Sequence, residues 1–149
     1  MTTYALKSAG HYYKTRYSKI TGGVIHILVS VDDWIGNDTS ADAGVRYGQT
    51  TKTPVSWHGC VDSDSTIDCL PDEYTAYHCY RYNSTTIGME LGAKSTDWTA
   101  KPAEWVEKVL ARMATWWAPR CVKWGIPVKY EGSKKVIDAK IARGEQWGF

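Results

Sequence analysis

Two polar side chains stand where the surrounding sequence asks for apolar ones. His26 interrupts the run Gly22-Gly23-Val24-Ile25-His26-Ile27-Leu28-Val29-Ser30, and Glu90 interrupts Thr85-Thr86-Ile87-Gly88-Met89-Glu90-Leu91-Gly92. An apolar, β-branched run of this length reads as a buried strand. An imidazole in such a strand is either a satisfied core histidine or a zinc ligand presented at the floor of a cleft. A carboxyl group there either ties the sheet to a helix or, with its pKa raised by burial, serves as a general acid and base. Trp57-His58 and His78, with Asn83 following, are further candidates on neighbouring segments. Trp57 has core packing as its alternative reading. For His58 and His78, positioning or structural roles are favoured over metal ligation.

The elements that must carry these residues follow from local pattern. The strand 22–30 leads into a loop over 31–38, rich in turn formers. Thr39 or Ser40 can cap a short helix reaching about Gln49, with Ala41, Val45 and Tyr47 inward. Residues 54–61 and 66–70 read as the strands of a hairpin about the turn 62–65. A brief helical turn follows Pro71, and a strand spans 85–92. A long helix covers about 101–124, with Trp105, Val106, Val109, Leu110, Met113, Trp116 and Trp117 at helical spacing. That stripe is expected to be core, and Pro119 is expected to kink or split the helix. A short strand over 128–130 and a short helix over 134–143 complete the chain after the irregular lead-in 1–21. Strands and helices in this order imply an α/β architecture, a mixed central sheet flanked by helices, in a single domain spanning 1–149.

Composition narrows the function classes. The 149 residues carry a net charge of +2, which is no nucleic-acid footprint. No apolar run approaches the length of a membrane span. Residues 1–19 contain no hydrophobic segment of the kind that directs secretion, so synthesis in a cytoplasm is expected. Eight Trp and ten Tyr against one Phe favour clefts that bind sugars or peptides, although many belong to the core. Cys60, Cys69, Cys79 and Cys121 form no Cys-x-x-Cys pair and are expected to be free thiols filling buried space; Cys60 and Cys69 are placed to face each other across the hairpin.

Four pieces stand in a fixed order: Val24-Ile25-His26-Ile27, Val55-Ser56-Trp57-His58-Gly59-Cys60-Val61-Asp62, Ala76-Tyr77-His78 followed by Asn83, and Ser84 to Leu91. From about Gly22 to Pro127 the chain resembles the zinc-dependent N-acetylmuramoyl-L-alanine amidases of the type-2 amidase and peptidoglycan-recognition-protein superfamily. The likeness is strongest to the amidase domains of phage endolysins. The resemblance implies hydrolysis of the amide joining the lactyl group of N-acetylmuramic acid to L-alanine. The partner it implies is bacterial peptidoglycan, reached after release from the host cytoplasm. It matches His26 to the first zinc ligand and Glu90 to the glutamate acting on water. Trp57 matches an aromatic beside the metal, His58 the His of a Ser-x-His strand, and His78 and Asn83 a pair lining the substrate groove.

The resemblance also places a second ligand, His, and a third, Asp or Cys, in a segment after the last helices. No histidine follows His78. One ligand of three is therefore expected here, with the last metal-binding segment missing. It would lie on a longer chain, on a separate C-terminal chain or domain, or be lost in a relative that binds muropeptide without cutting.

Overall fold

The computed structural model describes residues 2–3, 11–28, 32–33, 35, 40–92 and 98–149. Its strands are β1 (Thr2–Thr3), β2 (Tyr12–Tyr13), β3 (Gly22–Ile27), β4 (Gly59–Val61), β5 (Thr66–Asp68), β6 (Thr75–Ala76) and β7 (Thr86–Leu91). Its α-helices are α1 (Ser40–Thr50), α2 (Ala103–Trp124) and α3 (Lys134–Ala142). The main sheet runs in the order β1-β5-β4-β7-β3, parallel except between β4 and β5. The architecture is thus the expected mixed sheet with helices against it.

Alternation of side chains sorts the sheet into two cores. Val61, Ile87, Met89 and Leu91 point to one face and are buried under Trp105, Val109, Trp116 and Trp117 of α2. Cys60 and Ile67 point to the other face, against Ala41 and Val45 of α1 and the ring of Trp57. Close approach of aromatic rings dictates several glycines. A Cβ on Gly59 would lie 2.6 Å from the Trp116 ring, and one on Gly22 would lie 2.2 Å from that of Trp147. The α1 face is pinned by Asp62, whose carboxylate accepts from the N–H of Ala41 (2.8 Å), Asp64 (3.0 Å) and Ser65 (2.6 Å). These bonds hold the start of α1 and the hairpin turn to one point. The α2 face is pinned by Arg120, which donates to Asp72 (2.8 Å) and Asp68 (2.9 Å).

Several expectations need correction. The hairpin strands are shorter than expected: residues 54–58 stay outside the ladder. The lead-in is not wholly irregular, since β1 pairs with β5 and β2 with β6. Two-residue pairings carry no periodicity to read. Residues 128–130 form no strand; their backbone instead bonds the end of the chain, with Phe149 N–H donating to the Lys129 carbonyl at 2.9 Å. α2 runs through Pro119 as one helix. Pro119 and Thr115 both lie on its exposed side, so the Thr115 carbonyl that proline cannot serve is open to water. Leu110 and Tyr47 are exposed rather than inward. Gly125 ends α2 in a left-handed cap at φ 66°, its N–H donating to the Cys121 carbonyl. The expected residues Val29 to Val31, Trp34 and Gly36 to Thr39 lie outside those described.

Candidate active site

β7 lies inside the sheet between β4 and β3 and is buried along its length apart from Glu90. β3 is an edge strand, and among the described residues its outer edge pairs at its start, where Gly22 bridges to Gly148. The register sets His26 beside Glu90, and Glu90 beside Cys60 on β4. Paired residues on adjacent strands point to the same face, so the imidazole and the carboxyl group share the α1 face of the sheet. There Glu90 lines a cavity of about 380 Å3, walled also by Leu28, Val55, Trp57, Tyr77 and His78, and His26 adjoins this wall through its contact with His78.

His78 is the hub of this face. It rests on Gly88, where a Cβ would lie 2.5 Å from the ring; the glycine of Ile87-Gly88-Met89-Glu90 is the seat of an imidazole. Its ring packs edge-on against His26, with centroids 5.4 Å apart, and against His58 at 5.9 Å. The hydrogen bonds assign the protons. The Thr86 hydroxyl donates to the Tyr82 carbonyl at 2.7 Å, so it accepts from His78 Nε2–H at 3.1 Å. His78 Nδ1 is then the acceptor for His26 Nε2–H at 3.1 Å, which leaves the lone pair of His26 on Nδ1. Burial lowers the pKa of both rings below the ordinary histidine value, so the pair is neutral near pH 7.

His58 is wholly buried beneath His78. Gly88 N–H donates to its Nδ1 at 3.0 Å, so Nε2–H donates to the Tyr74 carbonyl at 3.1 Å. Burial first, then the Arg16 charge 2.8 Å away, pushes its pKa down to about 3. With both nitrogens engaged and no exposed surface, His58 ties β4 and β7 to the β5–β6 loop. Arg16 extends this tie, donating to the carbonyls of Asp72 (2.6 Å), Asn83 (3.3 Å) and Ser84 (3.2 Å).

Glu90 is the acidic group of the set. Burial raises its pKa to about 7, the middle of the range in which a carboxyl group both takes and gives a proton at neutral pH. Trp57 is buried but forms part of the cavity wall, so core packing and a place in the groove coincide in this residue. Asn83 lines a second cavity, of about 490 Å3, that shares Val55, Tyr77 and His78 with the wall of the first. Its side-chain oxygen is spent within the protein, accepting from the N–H of His78 (3.0 Å) and Cys79 (2.6 Å). Cys79, expected as buried filler, is half-buried in that same wall. Cys60 and Cys69 do face each other, with sulfurs 3.9 Å apart.

Sequence reasoning missed Thr86 and Arg16. Thr86 was within reach: positions 86, 88 and 90 share a face by strand alternation, so the hydroxyl belongs with Gly88 and Glu90. Arg16 sits in the lead-in and meets its partners only through tertiary folding, and no local pattern marks it.

The sequence profile of the N-acetylmuramoyl-L-alanine amidases matches residues 16–146, and the chain belongs to that family. Among solved structures it is similar to the Staphylococcus aureus hydrolase AmiA, determined with its ligand, at a TM-score of 0.66 and 15% identity over 99% of this chain and 72% of that one. It is also similar to the PlyG catalytic domain, with a TM-score of 0.63 and 16% identity over 97% of this chain and 91% of that one. PlyL gives 0.61 and 18% over 97% and 95%. Identities this low speak to the shared fold. No curated protein sequence matches the chain.

The zinc implied by the resemblance can be tested against the donors present. His26 offers one lone pair, Glu90 is its neighbour, and His78 is turned to His26 and Thr86. Among the described residues no three His, Cys, Asp or Glu side chains are grouped to hold a metal ion. A catalytic zinc needs three protein donors, so this set does not fit one. Zinc titrated calorimetrically into this chain is expected to bind no tighter than about 0.1 mM, close to −5.5 kcal/mol. Stoichiometric binding at micromolar zinc would show that donors have been overlooked.

Proposed function

We propose that the groove seats a muropeptide of bacterial peptidoglycan with its lactyl–L-alanyl amide beside His26 and Glu90, and that Glu90 drives hydrolysis of that amide. The observation that supports this most is the pairing of His26 with Glu90 on one sheet face, with Glu90 and the His26-bonded His78 lining a groove. Glu90 takes a proton from water as its oxygen attacks the lactyl carbonyl carbon. It then returns the proton to the nitrogen as the C–N bond breaks, releasing the muramyl carboxylate and the free amine of L-alanine. A carboxyl group with a pKa about 7 serves both steps. His78 keeps the His26 ring in one orientation and one tautomer. Polarising the carbonyl is a task for which the described residues supply no three-donor metal group, and no step is assigned to one. The fold shared with PlyG and PlyL supports a lysin-type role, in which a protein made in the host cytoplasm acts on the wall after release.

A second reading is favoured by that same shortage of donors: a family member that binds muropeptide without cutting it. Incubating the chain with purified cell wall separates the two. Hydrolysis is read as new L-alanine amino termini, and binding as protein sedimenting with the wall. The enzyme reading expects Glu90→Gln to lower the release by about 100-fold or more while sedimentation persists. Sedimentation with no release from the parent chain supports the binding reading, and loss of both refutes the assignment of the groove.

A further inference from the structure

We infer that Tyr80 is the glycan-side platform of the groove, the ring on which the sugar of a muropeptide rests; this depends on the muropeptide reading above. Tyr80 belongs to the wall of the second cavity and is 96% exposed. Among the described residues it alone, glycines aside, has a positive φ, at 48°. A bulky side chain rarely takes that backbone conformation. The loop is fixed from within by Asn83, whose side-chain oxygen caps the His78 and Cys79 N–H groups and whose own N–H donates to the Tyr80 carbonyl at 3.0 Å. A ring so exposed contributes almost nothing to packing, while the backbone that carries it beside the second cavity is fixed by these bonds.

The chemistry of the two cavities chooses the ligand part. The second cavity is walled by Pro54, Val55, Tyr77, His78, Tyr80 and Asn83 among others, and no charged side chain among the described residues lines it. The glycan is neutral once the muramyl acid is engaged in the amide, and it presents flat C–H faces with hydroxyl groups at the rim. Aromatic rings with hydroxyl and amide groups among them match that surface. With Glu90 in the first cavity at the scissile amide, the glycan extends over His78 toward Tyr80, and the peptide leaves past Leu28 and Tyr47.

The test compares two ligands, the disaccharide dipeptide GlcNAc-MurNAc-L-Ala-D-isoGln and the free dipeptide L-Ala-D-isoGln. Calorimetry on the full Glu90→Gln chain keeps the ligand intact during titration. The glycan-bearing ligand is expected to bind at least about fivefold tighter. Tyr80→Ala and Tyr80→Asn are both expected to abolish that preference, and Tyr80→Phe to keep most of it. Asparagine tolerates the left-handed backbone, so an unchanged melting temperature in Tyr80→Asn separates lost binding from lost folding. Equal affinity for the two ligands, or a preference that survives Tyr80→Asn, overturns the platform while leaving the muropeptide reading intact. Failure to bind either ligand overturns both.

Discussion

Glu90→Gln should be more stable than the wild type at pH 8 and equally stable at pH 4, a pH-dependent gain of up to about 3 kcal/mol. The sign follows from burial. The carboxyl group has a pKa of about 7 when folded, against an ordinary value of 4.5. Below pH 4.5 it is protonated in both states and costs nothing. Between pH 4.5 and about 7 the unfolded chain ionises and the folded one does not, so wild-type stability falls as pH rises. Above about 7 the folded carboxylate is ionised at full desolvation cost. Glutamine keeps the shape and never ionises, so its curve lacks that fall. Urea unfolding of both chains at pH 4 and pH 8 measures it, and other titrating groups cancel in the double difference. An equal gap at the two pH values would mean that Glu90 is solvated and poorly suited to proton transfer at neutral pH.

Gly88→Ala is expected to cost about 3 kcal/mol, a large penalty for one methyl group in a strand. The added Cβ would lie 2.5 Å from both Cγ and Nδ1 of His78. The ring must leave its seat, and with it go the bonds to His26 and Thr86. Affinity for the disaccharide dipeptide is expected to fall about tenfold or more, because His78 walls both cavities. Gly144→Ala is the control. It also strains the backbone, at φ 66°, but its Cβ meets nothing within 4 Å. It should cost only about 1–2 kcal/mol and leave binding unchanged. Equal effects from the two substitutions would show that His78 has room to move.

Much of this site was legible in residue types. His26 and Glu90 stood out as polar interruptions of apolar runs, and the stripe on α2 foretold the core under Trp105, Val109, Trp116 and Trp117. What strings of residues do not carry is register. A slip of one residue between β3 and β7 would put His26 and Glu90 on opposite faces with no change in either pattern. Burial order was equally hidden. His58 and His78 look alike in the sequence, yet one lies under the other, because Gly88 makes room for His78 and Tyr74 and Arg16 close over His58. Pro119 does not split α2 because, on an exposed face, water replaces the bond that proline removes. Tyr47 and Leu110 misled because helical spacing marks a stripe without fixing its edges. Cys79 misled through its residue type, which usually seeks the interior.

A third cavity offers a sharp contrast. It lies on the α2 face, about 470 Å3, between Ile25, Met113, Trp117, Val128 and Phe149, and its walls are almost wholly apolar. It lacks the convergent polar groups that orient a ligand for reaction. The most direct measurement is therefore to titrate the isotopically labelled chain with the disaccharide dipeptide and map the NMR shift changes. The expected result is a cluster at His26, His78 and Glu90 on the α1 face. Changes gathered instead at Ile25, Trp117 and Phe149, or none anywhere, would contradict the assignment of His26 and Glu90 to one working groove.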